Sequence, residues 1–545
     1  MTEKQINTEE AELNAAIESV LGSPSLKKLV IAGPGTGKTT LFKHLLKLET
    51  GDPNRRIVLT FINNLKNDLE EDLKGLARVF TLHSYCLGLL YKNSRLRSRL
   101  SSGFRCYPGL ASIIARDWEL IEESEAPKFV GEMRNLMKTD HISFYIERGD
   151  YYDAVDFDDT VYRAYVGLVS GRATLGKYDL VLVDEYQDFN RLEAGFIDEL
   201  SKNNSILIAG DDDQALYSQL RNASWDHIRM LNSVGEYEVF KLPFCMRCPK
   251  VVVDAVSDVI IKAREINKLE GRIDKPYKHF PPVKGADSTK YPKIINVETS
   301  VQRQSANYMG RYIVQAIREI PSDEIQEAAH SGYPTVLVIV AKPYRRQIIS
   351  HLESEGYILY MTPEVLGEVD RDLGLSILKE DRESNLGWRI ILESDKPPFL
   401  KEKVIATADC TKRLVELLPS KFCEEVLSEV ELYKKDEKKS QSLKETSEVV
   451  EKPLVRITSF EGAKGLSAQH VFIAGLHNGE LPHNERDIKD LEICKFIVGL
   501  TRTRKKCTLI HTRNFGGVWK NPSSFISWIH ANRLEQVRVD KEYFK

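Results

Sequence analysis

Val181-Leu182-Val183-Asp184-Glu185-Tyr186-Gln187-Asp188 is the stretch on which the fold turns. An apolar run stops abruptly at two adjacent carboxylates. A strand buried on both faces of a parallel sheet reads as such a continuous apolar run, and the carboxyl edge of an open α/β sheet is where ligands bind. Taken alone, the octet fits a strand running into a polar loop equally well. The choice depends on whether an anion cradle stands elsewhere in the chain.

Such a cradle follows the apolar run Lys28 to Ala32. It reads Gly33-Pro34-Gly35-Thr36-Gly37-Lys38-Thr39-Thr40, and a helical pattern (Leu41, Phe42, Leu45, Leu46) comes next. Glycines let successive backbone N–H groups turn toward an anion, and the helix N-terminus adds its dipole. This is the P-loop pattern, with Ala32 where its first glycine usually stands. The pattern assigns Lys38 to the β- and γ-phosphates of a nucleotide and the Thr39 hydroxyl to Mg²⁺. Asp184 then supplies a second metal contact, and Glu185 orients or deprotonates a water attacking phosphate.

The chain has 545 residues, enough for two to four domains, and an ordinary apolar content of 42%. Lys and Arg total 77 against 80 Asp and Glu, a net charge of −3, so any nucleic-acid surface must be local. The eight cysteines are scattered. Cys245-Met246-Arg247-Cys248 is the sole C-x-x-C, and a zinc site would need a second pair assembled from distant segments. Free thiols, no signal-peptide pattern and no apolar run of membrane-spanning length point to a cytoplasmic protein without membrane contact.

The patterning predicts further strands at Arg56 to Phe61 and Ser205 to Ala209, then at Thr335 to Val340, Val455 to Thr458, His470 to Ala474 and Cys507 to His511. Asn190 with Glu193 forms a capping-box pattern. Residues from about Gly88 to Lys177 separate cradle and octet by far more than one βα unit requires. They read as an inserted subdomain. Residues 431–453 are polar, which suits a solvated linker; a basic arm touching DNA is the minor alternative.

Taken together, these motifs resemble the UvrD/Rep/PcrA-like superfamily 1 helicases, in order and over most of the chain. Ala32 to Thr39 is similar to their motif I, Leu59-Thr60-Phe61-Ile62-Asn63 to motif Ia, and Thr81-Leu82-His83-Ser84-Tyr85 to motif Ib. Asp184 to Asp188 is similar to motif II, Gly210 to Tyr217 to motif III, and Phe244 to Pro249 to motif IV. Glu461 to Leu466 matches motif V, and Val498-Gly499-Leu500-Thr501-Arg502 matches motif VI.

The resemblance implies an α/β fold of two RecA-like P-loop NTPase domains with parallel sheets, plus inserted accessory subdomains. The expected division is 1–87 with 178–240 for the first RecA-like domain and 88–177 for its insertion. The second domain takes 241–360 with 454–545, and 361–453 is a reduced accessory insertion with a polar linker. The implied activity is an ATP-dependent DNA helicase or translocase, 3′→5′ on single-stranded DNA, with ATP and Mg²⁺ as cofactors and single-stranded or tailed duplex DNA as partner. The alternative is a DNA-stimulated ATPase or nucleotide-sensing motor that serves a nuclease in repair or phage defence and unwinds little itself. Expected catalytic residues are Glu185, Lys38, Gln214, Arg247 and Arg502, the two arginines acting as fingers from the second domain. Guanidinium groups suit that task because they stay charged and grip phosphate oxygens bidentately. Nucleotide contacts are expected from Ala32, Gly33, Pro34, Gly35, Thr36, Gly37, Lys38, Thr39, Thr40, Gln187 and Gly465, and Mg²⁺ contacts from Thr39 and Asp184. Phe61, Asn63, His83 and Tyr217 are the nucleic-acid candidates, although an aromatic near a strand end is as often core.

Departures from the family pattern gather at the adenine end. The upstream L-N-x-x-Q reads Leu13-Asn14-Ala15-Ala16-Ile17, Met246 replaces the tyrosine before the motif IV arginine, and Thr40 replaces an arginine. Others touch the DNA side: Ser218-Gln219-Leu220-Arg221 lacks the motif III tryptophan, Glu461 replaces a histidine, and Ser467 replaces a glutamate. With the base contacts altered and the phosphate motifs intact, base discrimination is expected to be weak. Steady-state kinetics should give comparable turnover and affinity for ATP and GTP; a strict preference for ATP contradicts this expectation.

Overall fold

The computed structural model describes residues 3–61, 63–97, 99–299, 308–361, 370–433 and 452–545. Most of the 431–453 linker therefore lies outside the described residues. Two wholly parallel sheets dominate. The first has the strand order Arg78–Thr81, Arg56–Thr60, Leu180–Val183, Ile206–Gly210, Lys27–Ala32, Glu238–Leu242. The second runs Leu359–Met361, Val455–Thr458, Val336–Val340, Ala468–Ala474, Thr503–Thr512, Ile294–Thr299, Leu534–Val539. These are the two RecA-like sheets.

Each sheet is covered on both faces, which explains its unbroken apolar strands. On the first, Leu29, Ile31, Val181 and Val183 face one cluster of buried side chains, while Val30, Leu182 and Leu207 face another around Phe42. The second divides similarly between a cluster around Phe496 and one around Tyr344. Register then fixes the functional edge. Ile31 pairs with Gly210, Val183 with Ile208, and Leu59 with Val183. Gly33, Asp184, Asp211 and Phe61 therefore leave neighbouring strands at one carboxyl edge.

Residues 88–177 do not stand apart from the first sheet. Helix Phe157–Val169 puts Val161 and Ala164 into the same core as Val181. The two accessory insertions, distant in sequence, also join each other. Ile377, Leu386 and Ile390 share a core with Leu110, Ile113, Phe129 and Tyr145. At its centre Asp117 is fully buried between two guanidinium groups. It accepts from Arg148 Nε at 2.9 Å and from Arg389 Nε at 2.8 Å, and Tyr152 also donates to it. Arg148 reaches on to the Thr407 carbonyl at 2.8 Å. Burial would raise the Asp117 carboxyl, but Arg148 and Arg389 overcome that and hold it below the usual range. Sequence patterning does not reveal this junction, because Arg389 meets Asp117 and Arg148 only through tertiary packing.

No described helix is long and apolar enough to cross a membrane.

Asp117→Ala leaves two guanidinium groups buried without their carboxylate. The expected cost is about 3–5 kcal/mol, read as an earlier denaturant midpoint and faster proteolysis within 371–433.

Candidate active site

The cradle is shaped by glycine where other residues do not fit. Gly35 (φ 72°) and Gly37 (φ 89°) are left-handed, and helix Lys38–Leu48 starts directly after them. The cradle is also closely overlaid. A Cβ on Gly35 would lie 2.5 Å from Arg247 Cβ, one on Gly37 2.4 Å from Met246 Cε, and one on Gly33 2.8 Å from the Tyr277 ring. Met246 N–H donates to the Gly35 carbonyl at 2.9 Å, and the Tyr277 hydroxyl donates to the Pro34 carbonyl at 3.1 Å. The motif IV segment and the loop carrying Tyr277 thus press directly on the phosphate loop.

The cleft beneath them, ≈ 360 Å³, is lined by Gly33 to Thr40, Asp184, Glu185, Gln214, Met246, Arg247, Lys464, Gly465, Arg502 and Arg504. Lys38 Nζ bonds Glu185 Oε1 at 2.6 Å and stands 3.9 Å from Asp184 Oδ1. Gln187 spans two motifs: its amide donates to Glu185 Oε2 at 2.5 Å, and its carbonyl oxygen accepts from Asp211 N–H at 3.0 Å. Glu185 is left-handed (φ 55°), an uncommon conformation for a residue with a side chain, which turns its carboxylate into the cleft. Burial would raise Glu185, yet Lys38 and Lys464 outweigh it and hold Glu185 well below the usual carboxylate range. Asp184 goes the other way. Burial, only partly offset by Lys38 and reinforced by the neighbouring Glu185 charge, pushes it up to about 6.

The second domain enters this cleft with cations. Arg502 Nη2 donates to Gln214 Oε1 at 3.1 Å, its Nε to the Val498 carbonyl at 3.0 Å and its Nη1 to the Leu466 carbonyl at 3.2 Å. Gln214 in turn donates to Asp211 Oδ2 at 2.8 Å. Arg247 Nη1 donates to the Thr501 carbonyl at 3.3 Å, beside Arg502. Burial and the adjacent Arg247 press Arg502 down to about 10, so it stays charged near neutral pH. Lys464 bonds the Gln214 carbonyl at 2.5 Å, pairs with Asp188, and lies 3.5 Å from Glu185 Oε2. Ala32 closes the strand below the cradle and is fully buried.

The nucleic-acid candidates form a separate layer. Phe61 is 7% exposed; its ring centre lies 5.2 Å from that of Tyr217, and the Arg221 guanidinium sits over it at 4.4 Å. The Tyr217 hydroxyl donates to the Glu461 carbonyl at 3.2 Å, bridging motifs III and V. His83 Nε2 faces Arg221 Nη2 at 3.1 Å, and burial together with Arg221 lowers its pKa to about 3, so the ring is neutral and accepts. Asn63 opens helix Asn63–Asp72; its side chain lies outside the described residues. Of the positions that depart from the family pattern, Ile17 and Met246 pack against an apolar group of Leu13, Phe244 and Phe280.

Some cleft residues are not singled out by the motifs. Lys464 and Met246 lie inside motif stretches, so their positions could have been proposed. Arg504 follows motif VI, and Tyr277 sits in Arg272-Ile273-Asp274-Lys275-Pro276-Tyr277, where spacing gives no signal. Among the described residues no third His, Cys, Asp or Glu joins the C-x-x-C in a group that could share a metal ion. Among the described residues all eight cysteines are free, and Cys245 and Cys248 are buried beside Gly35 and Thr501.

Fold and cleft define a P-loop NTPase whose site is divided between two RecA-like domains. A family model described as "AAA domain" matches residues 14–219. The chain is 26% identical over 250 residues to the "Probable DNA helicase II homolog" of Mycoplasma capricolum subsp. capricolum, covering 37% of the chain and 34% of that protein. It is 26% identical over 231 residues to "ATP-dependent DNA helicase Rep" of Buchnera aphidicola subsp. Baizongia pistaciae, covering 35% and 34%. Against "DNA helicase II" of Salmonella typhimurium it is 22% identical over 97% of the chain and 88% of that protein. The matches thus span about a third of the length of the first two relatives. By motif order, fold and these matches the chain resembles the UvrD/Rep/PcrA-like helicases of superfamily 1.

Gly35→Ala places a Cβ against Arg247 in a left-handed backbone. At about 1–3 kcal/mol of strain, nucleotide affinity should fall roughly five- to 150-fold in equilibrium titration with a fluorescent ATP analogue, with far-ultraviolet circular dichroism unchanged.

Proposed function

We propose that the protein hydrolyses ATP with Mg²⁺ and converts opening and closing of the cleft into 3′→5′ movement along single-stranded DNA, unwinding duplex ahead of it. The observation that carries this reading is Arg502 of the second domain donating to Gln214 of the first, inside the cleft lined by Lys38 and Glu185. A site divided in this way couples γ-phosphate contact to domain approach.

In this reading the N–H groups of Gly33 to Thr40 and the Lys38 ammonium hold the phosphates. The Thr39 hydroxyl and Asp184 carboxylate would hold the metal; their hard oxygen donors at the mouth of the cradle fit Mg²⁺. When bound, Mg²⁺ neutralises charge that builds on the phosphate oxygens. Glu185, kept ionised, accepts a proton from or aligns the attacking water, with Gln187 fixing its second oxygen. Arg247 and Arg502 stabilise the transferring phosphoryl charge, and Gln214 reports its presence to Arg502. Gly465 borders the nucleotide from the second domain. Phe61, Asn63, His83 and Tyr217 remain the candidates to meet the DNA strand, and Tyr217, bonded to the Glu461 carbonyl, would carry its position to motif V. We assign 1–87 and 178–240 to the first domain, 88–177 and 361–453 to insertions, and 241–360 and 454–545 to the second domain, in a cytoplasmic protein.

A second reading is a translocating motor that serves a nuclease and unwinds little. The shared core of the two insertions favours it, because a fixed accessory body has less freedom to engage duplex.

ATPase assays with and without single-stranded DNA, beside strand separation on 3′- and 5′-tailed duplexes, separate the two. Unwinding from a 3′ tail supports the first; DNA-stimulated hydrolysis without strand separation supports the second. Glu185→Gln should bind nucleotide normally and lose about 10²–10⁴-fold in turnover. Normal hydrolysis by this variant removes Glu185 from the water-activating role.

A further inference from the structure

Motif III presents Asp211, Asp212 and Asp213 in succession, all buried. Among the described residues they are the one group of His, Cys, Asp or Glu side chains close enough to share a cation. The cation already in place is Lys275. Its ammonium lies 2.7 Å from Asp211 Oδ1, 2.7 Å from Asp212 Oδ1 and 2.9 Å from Asp213 Oδ2, with 2% of the side chain exposed. Burial would lower this lysine, and the three carboxylates instead raise it, so it stays charged. Arg272 pairs with Asp213 at 2.7 Å, and Ile273 N–H donates to Asp212 Oδ2 at 2.9 Å. The loop from Arg272 to Tyr277 is thereby tied to motif III at one end and, through Tyr277, to the Pro34 carbonyl at the other.

Asp211 is the branch point. Its Oδ1 meets Lys275, its Oδ2 accepts from Gln214 Nε2 at 2.8 Å, and its N–H donates to Gln187, which holds Glu185. The Gln214 side-chain oxygen, Oε1, then accepts from Arg502 Nη2. We propose that Lys275 is a positioning residue for hydrolysis: it fixes the Asp211 carboxylate, so that Gln214 turns its amide nitrogen inward and its oxygen toward Arg502. Without Lys275, Asp211 loses its strongest partner, and the Gln214 amide is free to flip or swing from the arginine. The effect belongs to the step in which Arg502 and Gln214 meet the transferring phosphate, and not to nucleotide affinity, which rests on Gly33 to Thr40. The inference relies on the proposed ATPase reading, and its test keeps the two apart.

The test is a double-mutant cycle in the full chain. Lys275→Met, Gln214→Ala and the pair are compared by kcat, KM and equilibrium binding of a non-hydrolysable ATP analogue. Arg229→Met is the control, since Arg229 pairs with Asp212 at 3.0 Å and is not a partner of Asp211. The expected result is a fall in kcat of about tenfold or more for Lys275→Met, with analogue affinity within about twofold, and no further fall when it is added to Gln214→Ala. Arg229→Met should stay within about twofold of wild type. If Lys275→Met costs the same factor with or without Gln214, or if Arg229→Met matches it, Lys275 is only a structural counter-charge and the proposal fails. Lys275→Gln, which keeps a hydrogen bond to the cluster, goes through the same cycle if the methionine variant does not fold. A wild-type protein that binds the analogue but shows no turnover overturns the ATPase reading itself.

Discussion

Buried carboxylates at the sheet edge impose the constraint on which the rest of this molecule depends. Asp184, Glu185, Asp188 and Asp211 to Asp213 all leave the first sheet within one edge and are nearly dry. Ionised groups in such surroundings persist only when cations of good geometry stand against them. Up to Leu242, the last residue of the first sheet, the chain provides Lys38 and, against Asp212, Arg229. Lys464, Lys275 and Arg272 are contributed from residues beyond it. Neutralising the acids therefore requires the two halves of the chain to meet at the cleft, and the chemistry of the site and the association of the domains become one requirement.

Much of this was legible in sequence because strands covered on both faces must be apolar throughout. Leu180–Val183 and Ile206–Gly210 announce themselves, and their ends point to the acids. The motif strings gave Lys38, Asp184, Glu185, Gln214, Arg247 and Arg502, which line or adjoin one cleft. Other strands stayed hidden for physical reasons. Leu534–Val539 is an edge strand with Glu535, Gln536 and Arg538 exposed, and Arg78–Thr81 is short, with an exposed arginine at its start. Lys275 and Tyr277 were not legible, since their importance comes from tertiary proximity to Asp211 and Pro34 and their loop has no periodicity.

The accessory regions teach a related lesson. Sequence treats 88–177 and 361–453 as independent insertions, one in each domain. The second closes a core of its own around Trp388, yet Ile377, Leu386 and Ile390 pack into the core of the first, and Asp117 takes Arg389 as well as Arg148. Joining them makes one body carried by both domains, so any relative motion of those domains must be absorbed at the connections to that body or within it.

The tie between the phosphate loop and the start of the second domain runs from Met246 N–H to the Gly35 carbonyl, backbone to backbone. Any residue but proline at position 246 can make it. The side chain there does not carry the tie, so under the proposed reading a substitution at 246 would change the surface beside the nucleotide and leave the tie to the phosphate loop in place. Base preference and phosphate handling would then rest on different atoms of the same residue.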